Sequence, residues 1–382
     1  MSGRNSADNL LTLVTVSEKY GRDRMGPRLG VVGIGTFGVN HLRAFRQLER
    51  KGRVVLAAAA ELDDERLARA QGEFGVAGYR DYREMLDRER LDGVSVVTPD
   101  FAHRQIALDA LSAGCHVLVE KPLDVTVDGC QSIIAEAERR GLLLQVDFHK
   151  RYDPYHLELH RLVRAGRLGE PLYGYAHMED RMEVPRDWFP KWAPQSSPAW
   201  FLGVHFYDLV RWVLGSDARS AYARGQKRRL VEMGIDTYDS IQAQVEFQNG
   251  AVVTFDTSWI LPDRFEAIVN QGLRLVGTEG LIEIDSQDRG ARSCLTADGG
   301  MRTYNLGFMQ DLTSREGETT YRGYGIESIA DFAENIAHIL EGGSLGDLVG
   351  SYPDGRDGLE VTRIACAVEE SIASGRAVEI AR

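Results

Sequence analysis

Residues 29–38 read Leu29-Gly30-Val31-Val32-Gly33-Ile34-Gly35-Thr36-Phe37-Gly38, an apolar run that breaks into spaced glycines. The run reads as a short buried strand, the glycines as a turn, and His41 to Glu49 as the helix that follows. Gly33 suits the tight turn, Gly35 lets the backbone approach a diphosphate, and Gly38 lets helix and strand pack closely. The free N–H groups of the helix start then face the phosphates. The Gly-x-Gly-x-x-Gly spacing alone is weak, because glycines punctuate many loops, and its context strengthens it. A second strand, Val54 to Ala60, runs into Glu61, which stands 23 positions after Gly38, close to where a ribose-binding carboxylate belongs. A purely structural strand-turn-helix is the alternative. The context favours a dinucleotide site made of Gly33, Ile34, Gly35, Thr36, Phe37, Gly38 and Glu61.

Outward from this turn, strand and helix patterns alternate as far as Phe148, which implies a parallel sheet covered on both faces. Strands are predicted at Arg28–Val32, Val54–Ala60, Gly93–Val97, His116–Val119 and Leu142–Asp147. Helices are predicted at His41–Glu49, Asp64–Phe74, Tyr82–Asp87, Phe101–Ala113 and Thr126–Arg140, with Gly114 and Gly141 placed to end the last two.

After Arg151 the texture changes. A helix (Pro154–Ala165), a strand (Leu172–Glu179) and an irregular Pro- and Trp-rich segment (Arg181 to Pro198) lead to a helix at Ala199–Leu214. Long β-rich runs follow at Ala218–Arg228, Asp239–Phe247, Ala251–Trp259, Arg264–Val276 and Leu281–Ile284. Asn249-Gly250 is a hairpin signal between two of them, and together they predict a mostly antiparallel open sheet. Gln287 to Arg322 is polar and weakly patterned, an excursion from that sheet. Two helices, Ile326–Leu340 and Gly355–Ser374, and a strand, Ala377–Ile380, close the chain.

Composition sets the outer limits. A chain of 382 residues suits about two domains. With 43% hydrophobic and 27% charged residues it reads as an ordinary globular protein. A net charge of −12 argues against nucleic-acid or anionic-membrane partners, which call for basic patches. The four cysteines (Cys115, Cys130, Cys294, Cys366) lack metal-ligand spacing, so no metal site is expected, and buried thiols in a reducing cytoplasm are the default. No apolar run approaches the roughly 20 residues that span a bilayer. Leu10–Val16 has about the length of a signal-peptide core, but Asp8 precedes it and no clear cleavage site follows. Residues 1–26 therefore read as an extension, and the protein as cytoplasmic.

Taken in order, these motifs resemble the Gfo/Idh/MocA oxidoreductases, relatives of glucose–fructose oxidoreductase and inositol dehydrogenase. The resemblance runs from about Pro27 to the C-terminus. It rests on the glycine turn, Thr98-Pro99-Asp100-Phe101-Ala102-His103, Glu120-Lys121-Pro122, His149-Lys150-Arg151-Tyr152-Asp153-Pro154, Gly203-Val204-His205-x-x-Asp208, and Gly277-Thr278-Glu279-Gly280. It implies an α/β fold: an N-terminal Rossmann domain with a doubly wound parallel sheet (27–149), then a C-terminal α+β domain (150–382). That second domain carries a large, open, mostly antiparallel sheet, serves substrate binding, and often builds homodimers or homotetramers. The implied activity is NAD(P)-dependent oxidation of a hydroxyl on a sugar, polyol or cyclitol.

On this resemblance Lys121, at the carboxyl end of a strand where an open parallel sheet holds its ligands, is a catalytic proton carrier that also touches cofactor and substrate. Glu120, Thr98, Pro99 and His103 line the cofactor. Alone, Lys121 could be a surface lysine before a turn proline, His103 a structural histidine, and Asp100 a helix cap. His205 is the second catalytic candidate and proton acceptor; without the family it reads as a core histidine. The family commonly has an aspartate four residues before this histidine, on the same helix face, and this chain has Phe201. That departure puts the usual Lys–Asp–His arrangement in doubt.

His149, Lys150, Arg186, Trp188 and Asp208 are candidate substrate residues. Lys150 and His149 read alternatively as a charged linker, and Asp208 as a structural cap. Trp188-Phe189-Pro190-Lys191-Trp192 either stacks on a sugar ring or pins a loop. Glu61 favours NAD over NADP, although Arg66 and Arg69 follow it. Three functions are thus in view: a dehydrogenase of a sugar, glycoside or inositol-like ring; an NAD-dependent glycosidase working through transient oxidation; or a catalytically silent dinucleotide sensor.

Overall fold

The structure, a computed structural model, describes residues 26–295 and 299–381; the expected extension at 1–26 lies almost wholly outside them. Six parallel strands form the first sheet: β1 (Arg28–Val32), β2 (Val55–Ala60), β3 (Ala77–Tyr79), β4 (Gly93–Val96), β5 (His116–Val119) and β6 (Leu144–Val146). Their order is β3-β2-β1-β4-β5-β6. The chain winds outward in one direction from β1 and in the other from β4, so the carboxyl ends of these two neighbours mark the switch point where such sheets bind ligands. β3 is an addition to the expected strands. It has three half-buried residues, too few to show a period.

The helices end where the residues dictate. Asp63 caps Asp64–Phe74 by accepting from the Glu65 and Arg66 N–H groups, and Thr126 caps Val127–Arg140. Gly141 closes the latter in a left-handed conformation. The first helix begins at Gly38, three residues earlier than expected, so the last glycine of the turn is already helical.

The second sheet has seven strands: β7 (Pro171–Arg181), β8 (Ala218–Gln226), β9 (Ser240–Phe247), β10 (Val252–Leu261), β11 (Val269–Gly277), β12 (Gly280–Asp285) and the short Val378–Glu379. Its order is β12-β11-β7-β10-β9-β8, with Val378–Glu379 beside β8. It is antiparallel except where β7 and β10 run together. β11 starts later than expected, because 262–268 form a loop rather than strand. One face buries Ala176, Val253, Phe255, Ala243 and Val245 in a core shared with Val204–Leu214 and Gly355–Ser374. The opposite face leaves Leu172, Tyr173, Tyr175 and Leu281 exposed. The excursion at 287–322 contains two small hairpins, Arg292–Leu295 with Gly300–Thr303 and Gln310–Thr313 with Thr319–Arg322.

Two features bring the halves together. Helix Tyr324–Leu340 packs Ile329, Phe332 and Ile336 into the core beneath β1 and β2, so the chain's last third supports the first sheet. The expected helix 199–214 is in two pieces, a wide π-type turn at Ala199–Gly203 and an α-helix at Val204–Leu214. The wide turn faces the carboxyl end of β5.

Candidate active site

The glycine turn has the shape of a cradle. Gly33 is left-handed (φ +91°), and a Cβ there would strike the Val97 carbonyl. A Cβ on Gly38 would strike the Gly33 carbonyl. Gly35 is different: the nearest atom to its Cβ position is an Arg66 guanidinium nitrogen 4.0 Å away, so this side lies open. The Glu61 carboxylate accepts hydrogen bonds from the N–H groups of Ile34 (2.7 Å) and Asp63 (3.1 Å), placing the acid at the lip of the turn. The Thr98 hydroxyl, at the end of β4, is buried without a hydrogen-bond partner among the described residues. An open glycine, an acid at the rim and an orphaned hydroxyl fit a dinucleotide.

Lys121 follows β5. Its ammonium donates to the Phe201 carbonyl at 2.8 Å and sits 4.5 Å from the centre of the Phe201 ring. Burial pulls its pKa down, opposed by the charges of Glu120, Asp100, Asp180 and Asp147. Behind it, Glu120 accepts from the Lys121 N–H (3.1 Å) and lies 3.4 Å from Nε2 of His41. Nδ1 of His41 meets the Ser95 hydroxyl at 2.7 Å. Asp147, at the end of β6, completes this buried group, 3.9 Å from His41. Burial raises both carboxyls and presses His41 down to about 4. The group therefore resists carrying three charges and favours shared protons.

The second half supplies the imidazoles. His205 enters on Val204–Leu214 and His149 on the short helical turn His149–Tyr152 after β6. Their rings are 4.8 Å apart, and Nδ1 of each is buried without a partner among the described residues. His149 lies 6.1 Å from the Phe37 ring of the glycine turn, with Phe308 and Tyr324 on its other sides. Burial, reinforced by the Lys121 and Lys150 charges, holds both histidines well below the usual imidazole range. Each is a neutral base near neutrality. Lys150 is buried, donates to Gln271, lies 4.7 Å from the Phe206 ring, and is pushed down to about 7 by burial. A lysine donor and a neutral imidazole facing one cleft can between them exchange a hydroxyl proton.

Comparison with known proteins agrees with this geometry. Residues 27–148 match the oxidoreductase family described as having an NAD-binding Rossmann fold, and residues 156–283 match the GFO/IDH/MocA C-terminal domain. The chain belongs to the GFO/IDH/MocA oxidoreductase family. It is 34% identical to inositol 2-dehydrogenase 2 of Saccharopolyspora erythraea over 232 residues, which are 60% of this chain and 66% of that protein. It is 26% identical to D-apiose dehydrogenase of Paraburkholderia graminis over 92% of this chain and 88% of that one. Its fold is that of scyllo-inositol dehydrogenase from Lactobacillus casei, solved with NAD(H) and scyllo-inositol. The TM-score is 0.74 at 20% identity, covering 94% of this chain and all of that one (100%). NAD is the cofactor of this oxidoreductase, and the turn, Glu61 and Thr98 are the residues that would hold it.

Not every sequence candidate faces the cleft of this oxidoreductase. His103 is consumed by structure: its ring nitrogens meet the carbonyls of Pro122 (2.7 Å) and Thr98 (2.8 Å), so it ties two cofactor-side loops together. Asp208 is corrected from substrate contact to structural anion, because both of its oxygens are held by Arg151, which also pairs with Asp357. Arg186 is spent on Asp187 and Asp263. Trp188 stays 44% exposed, its ring edge-to-face with Phe189 at 6.4 Å. Of that aromatic group it is Trp192 that reaches inward. Its indole donates to Asp100 at 2.9 Å, pinning the loop to the first sheet with the Ser196 hydroxyl (3.2 Å). Asp100 does not cap the next helix, whose N-cap is Ala102 with no side-chain cap; it accepts from the Phe101 N–H and latches the loop.

The sequence reading missed four contributors to this oxidoreductase's site: His41, Asp147, Asp180 and Phe308. Asp147 and Asp180 were legible only as polar residues ending apolar strands. His41 and Phe308 carried no signal at all.

Proposed function

We propose that this oxidoreductase moves a hydride between NAD and a secondary hydroxyl of an inositol-like polyol or a sugar. The observation that carries the reading is the convergence of Lys121, His149 and His205 on the carboxyl edge of the first sheet, beside the glycine turn. When bound, NAD supplies the hydride acceptor. Lys121 donates a hydrogen bond to the reacting oxygen, and neutral His205 takes the proton the hydroxyl releases. His149 and Lys150 orient neighbouring hydroxyls, and the rings of Phe37, Phe201 and Phe308 exclude water. The names of the relatives support a cyclitol or sugar as substrate. Glu61 supports NAD over NADP, because a carboxylate accepts from ribose hydroxyls and repels a 2′-phosphate.

The remaining proposals concern organisation. We take the boundary between the halves at 149/150. The exposed Leu172, Tyr173, Tyr175 and Leu281 support a homodimer or homotetramer built on the outer face of the second sheet, which light scattering tests. Four free cysteines, and no helix among the described residues long and apolar enough to cross a membrane, support a cytoplasmic protein. The deciding experiment is absorbance of reduced nicotinamide with NAD, a panel of inositols and sugars, and Lys121→Ala in parallel. A rise that the variant abolishes establishes the reading; silence across the panel with NAD bound removes it.

A further inference from the structure

Asp180 is the buried acid of this site that no hydroxyl-oxidation role yet uses. It stands near the end of β7, 2% exposed. Glu179 pairs with Ser258 of β10 and Arg181 with Leu261, so Trp259 and Ile260 both oppose Asp180 across a bulge. The Trp259 indole faces inward in step with Val253, Phe255 and Thr257 along β10, 1% exposed and 5.7 Å from the Phe201 ring. Phe201 in turn carries the Lys121 ammonium on its carbonyl and ring. Asp180, Trp259, Phe201 and Lys121 thus form one continuous packed layer. Among the described residues Asp180 has no ion pair within 4 Å.

We propose that Asp180 is the positioning acid of Lys121, holding from the sheet the lysine that Phe201 cannot hold by charge from the wide turn. Lys121 is the charge that most favours the Asp180 anion; the Trp259 indole N–H, which closes no hydrogen bond of good geometry, favours it less. Burial still pushes Asp180 up to about 8 and pulls Lys121 down, so the two groups titrate as a coupled pair. The groups that face Lys121 are Glu120, Asp100, Asp180 and Asp147 on the acidic side, with Lys150, His149 and His205 on the basic side. Glu120 lies 3.4 Å and Asp147 3.9 Å from Nε2 of His41, so their charge is divided between that ring and Lys121. Asp100 is spent on Trp192, Ser196 and Phe101. Asp180, which forms no ion pair among the described residues, faces Lys121 from the second sheet, opposite the acids of the first. The phenyl ring at 201 keeps water from the pair, which strengthens their coupling.

This inference rests on Lys121 as the donor to the reacting oxygen in the proposed reaction, but its test needs no turnover. Competitive acetylation of the full-length protein across pH, read by mass spectrometry on the peptide holding Lys121, gives that lysine's titration midpoint. Asp180→Asn preserves shape and removes the charge, so the midpoint should fall by about one pH unit or more. Putting the acid back on the helix, as Phe201→Asp in the Asp180→Asn background, should raise it again. Unchanged NAD binding shows that each variant is folded. An Asp180→Asn midpoint equal to the parent's overturns the inference, whether or not a substrate has been found. A shifted midpoint with no oxidation of any polyol supports the pair and removes the dehydrogenase reading instead.

Discussion

The ammonium of Lys121 rests on Phe201 twice, through a 2.8 Å hydrogen bond to its carbonyl and through its ring face at 4.5 Å. Phe201 is the departure that the sequence flags, an apolar ring where the family resemblance implies an acid. The contact shows how the site accommodates it. The wide turn at Ala199–Gly203 brings a main-chain carbonyl to the amine, and the quadrupole of the ring replaces part of the lost charge. Lys121 is held, but by groups that cannot take its proton.

Two substitutions separate these parts. Phe201→Leu keeps the carbonyl and loses the ring, a cation–π contribution of about 0.5–2 kcal/mol, so turnover should fall by about thirtyfold at most. Lys121→Ala removes the donor to the reacting oxygen and should cost about 10²–10⁴-fold in kcat with the Kd for NAD retained. Steady-state kinetics beside a cofactor titration read both. Equal losses in the two variants would mean that the ring, not the amine, limits the reaction.

His205 sets the acid side of the pH profile. Burial and the neighbouring lysines depress its pKa, so it stays neutral well below the usual value of about 6.5. A general base must be unprotonated, hence activity is lost only as pH falls through that depressed value. The acid limb of kcat/KM should lie clearly below pH ~6.5, and His205→Asn should lower the plateau by about 10²–10⁴-fold. An acid limb at or above 6.5 would assign it to another group.

The legible parts of this protein were those written in adjacent residues. The glycine turn, the acid ending β2 and the Glu120-Lys121-Pro122 step are local patterns with local causes, and each stands where its spacing put it. The unread parts are pairings over long sequence distances. His41 meets Glu120 across 79 positions, and Arg151 meets Asp208 across 57. Nothing near Asp208 in sequence distinguishes a substrate ligand from an anion committed to a buried arginine. Asp180 was hidden in another way: it stands just past the strand read at Leu172–Glu179, and what packs against it comes from the distant strand β10.

On the proposed function, Glu61 is the residue that discriminates between the two nicotinamide cofactors. Its carboxylate at the lip of the turn would accept from ribose hydroxyls and repel a 2′-phosphate, while Arg66 lies beside Gly35 ready to attract one. Glu61→Gln should weaken NAD and strengthen NADP, moving the ratio of their Kd values by about tenfold or more, one lost charge interaction of about 1.4 kcal/mol. Fluorescence titration with each cofactor measures the ratio. No change would place the selectivity on Arg66 or Arg69.

Asp208 should fail as a fold residue rather than a site residue. It is fully buried, and with Asp357 it neutralises Arg151, whose guanidinium is in turn held well above its ordinary range by the two acids despite burial. Removing one partner leaves a buried charge uncompensated, at a cost of about 3–5 kcal/mol. Asp208→Ala should therefore lower Tm by many degrees, while the fraction still folded binds NAD normally. Calorimetry with a parallel cofactor titration distinguishes this from a substrate contact, whose loss would raise KM and leave Tm in place.

The glycines of the turn predict opposite failures from the same substitution. A Cβ on Gly38 meets the Gly33 carbonyl, part of the backbone, so Gly38→Ala must push helix and strand apart and should lose stability outright. A Cβ on Gly35 meets nothing nearer than a flexible Arg66 tip at 4.0 Å. Gly35→Ala should consequently fold with a Tm close to the parent's, and even gain slightly from reduced unfolded-state entropy. The added methyl would instead occupy the space into which a diphosphate must come, and NAD affinity should fall by about a hundredfold or more, some 2.7 kcal/mol. Thermal melts with and without NAD read both quantities in one experiment. The parent and Gly35→Ala should share a melting temperature in its absence and part in its presence. If Gly35→Ala keeps the NAD-induced shift, the cofactor's phosphates lie elsewhere and the cradle is only a fold device.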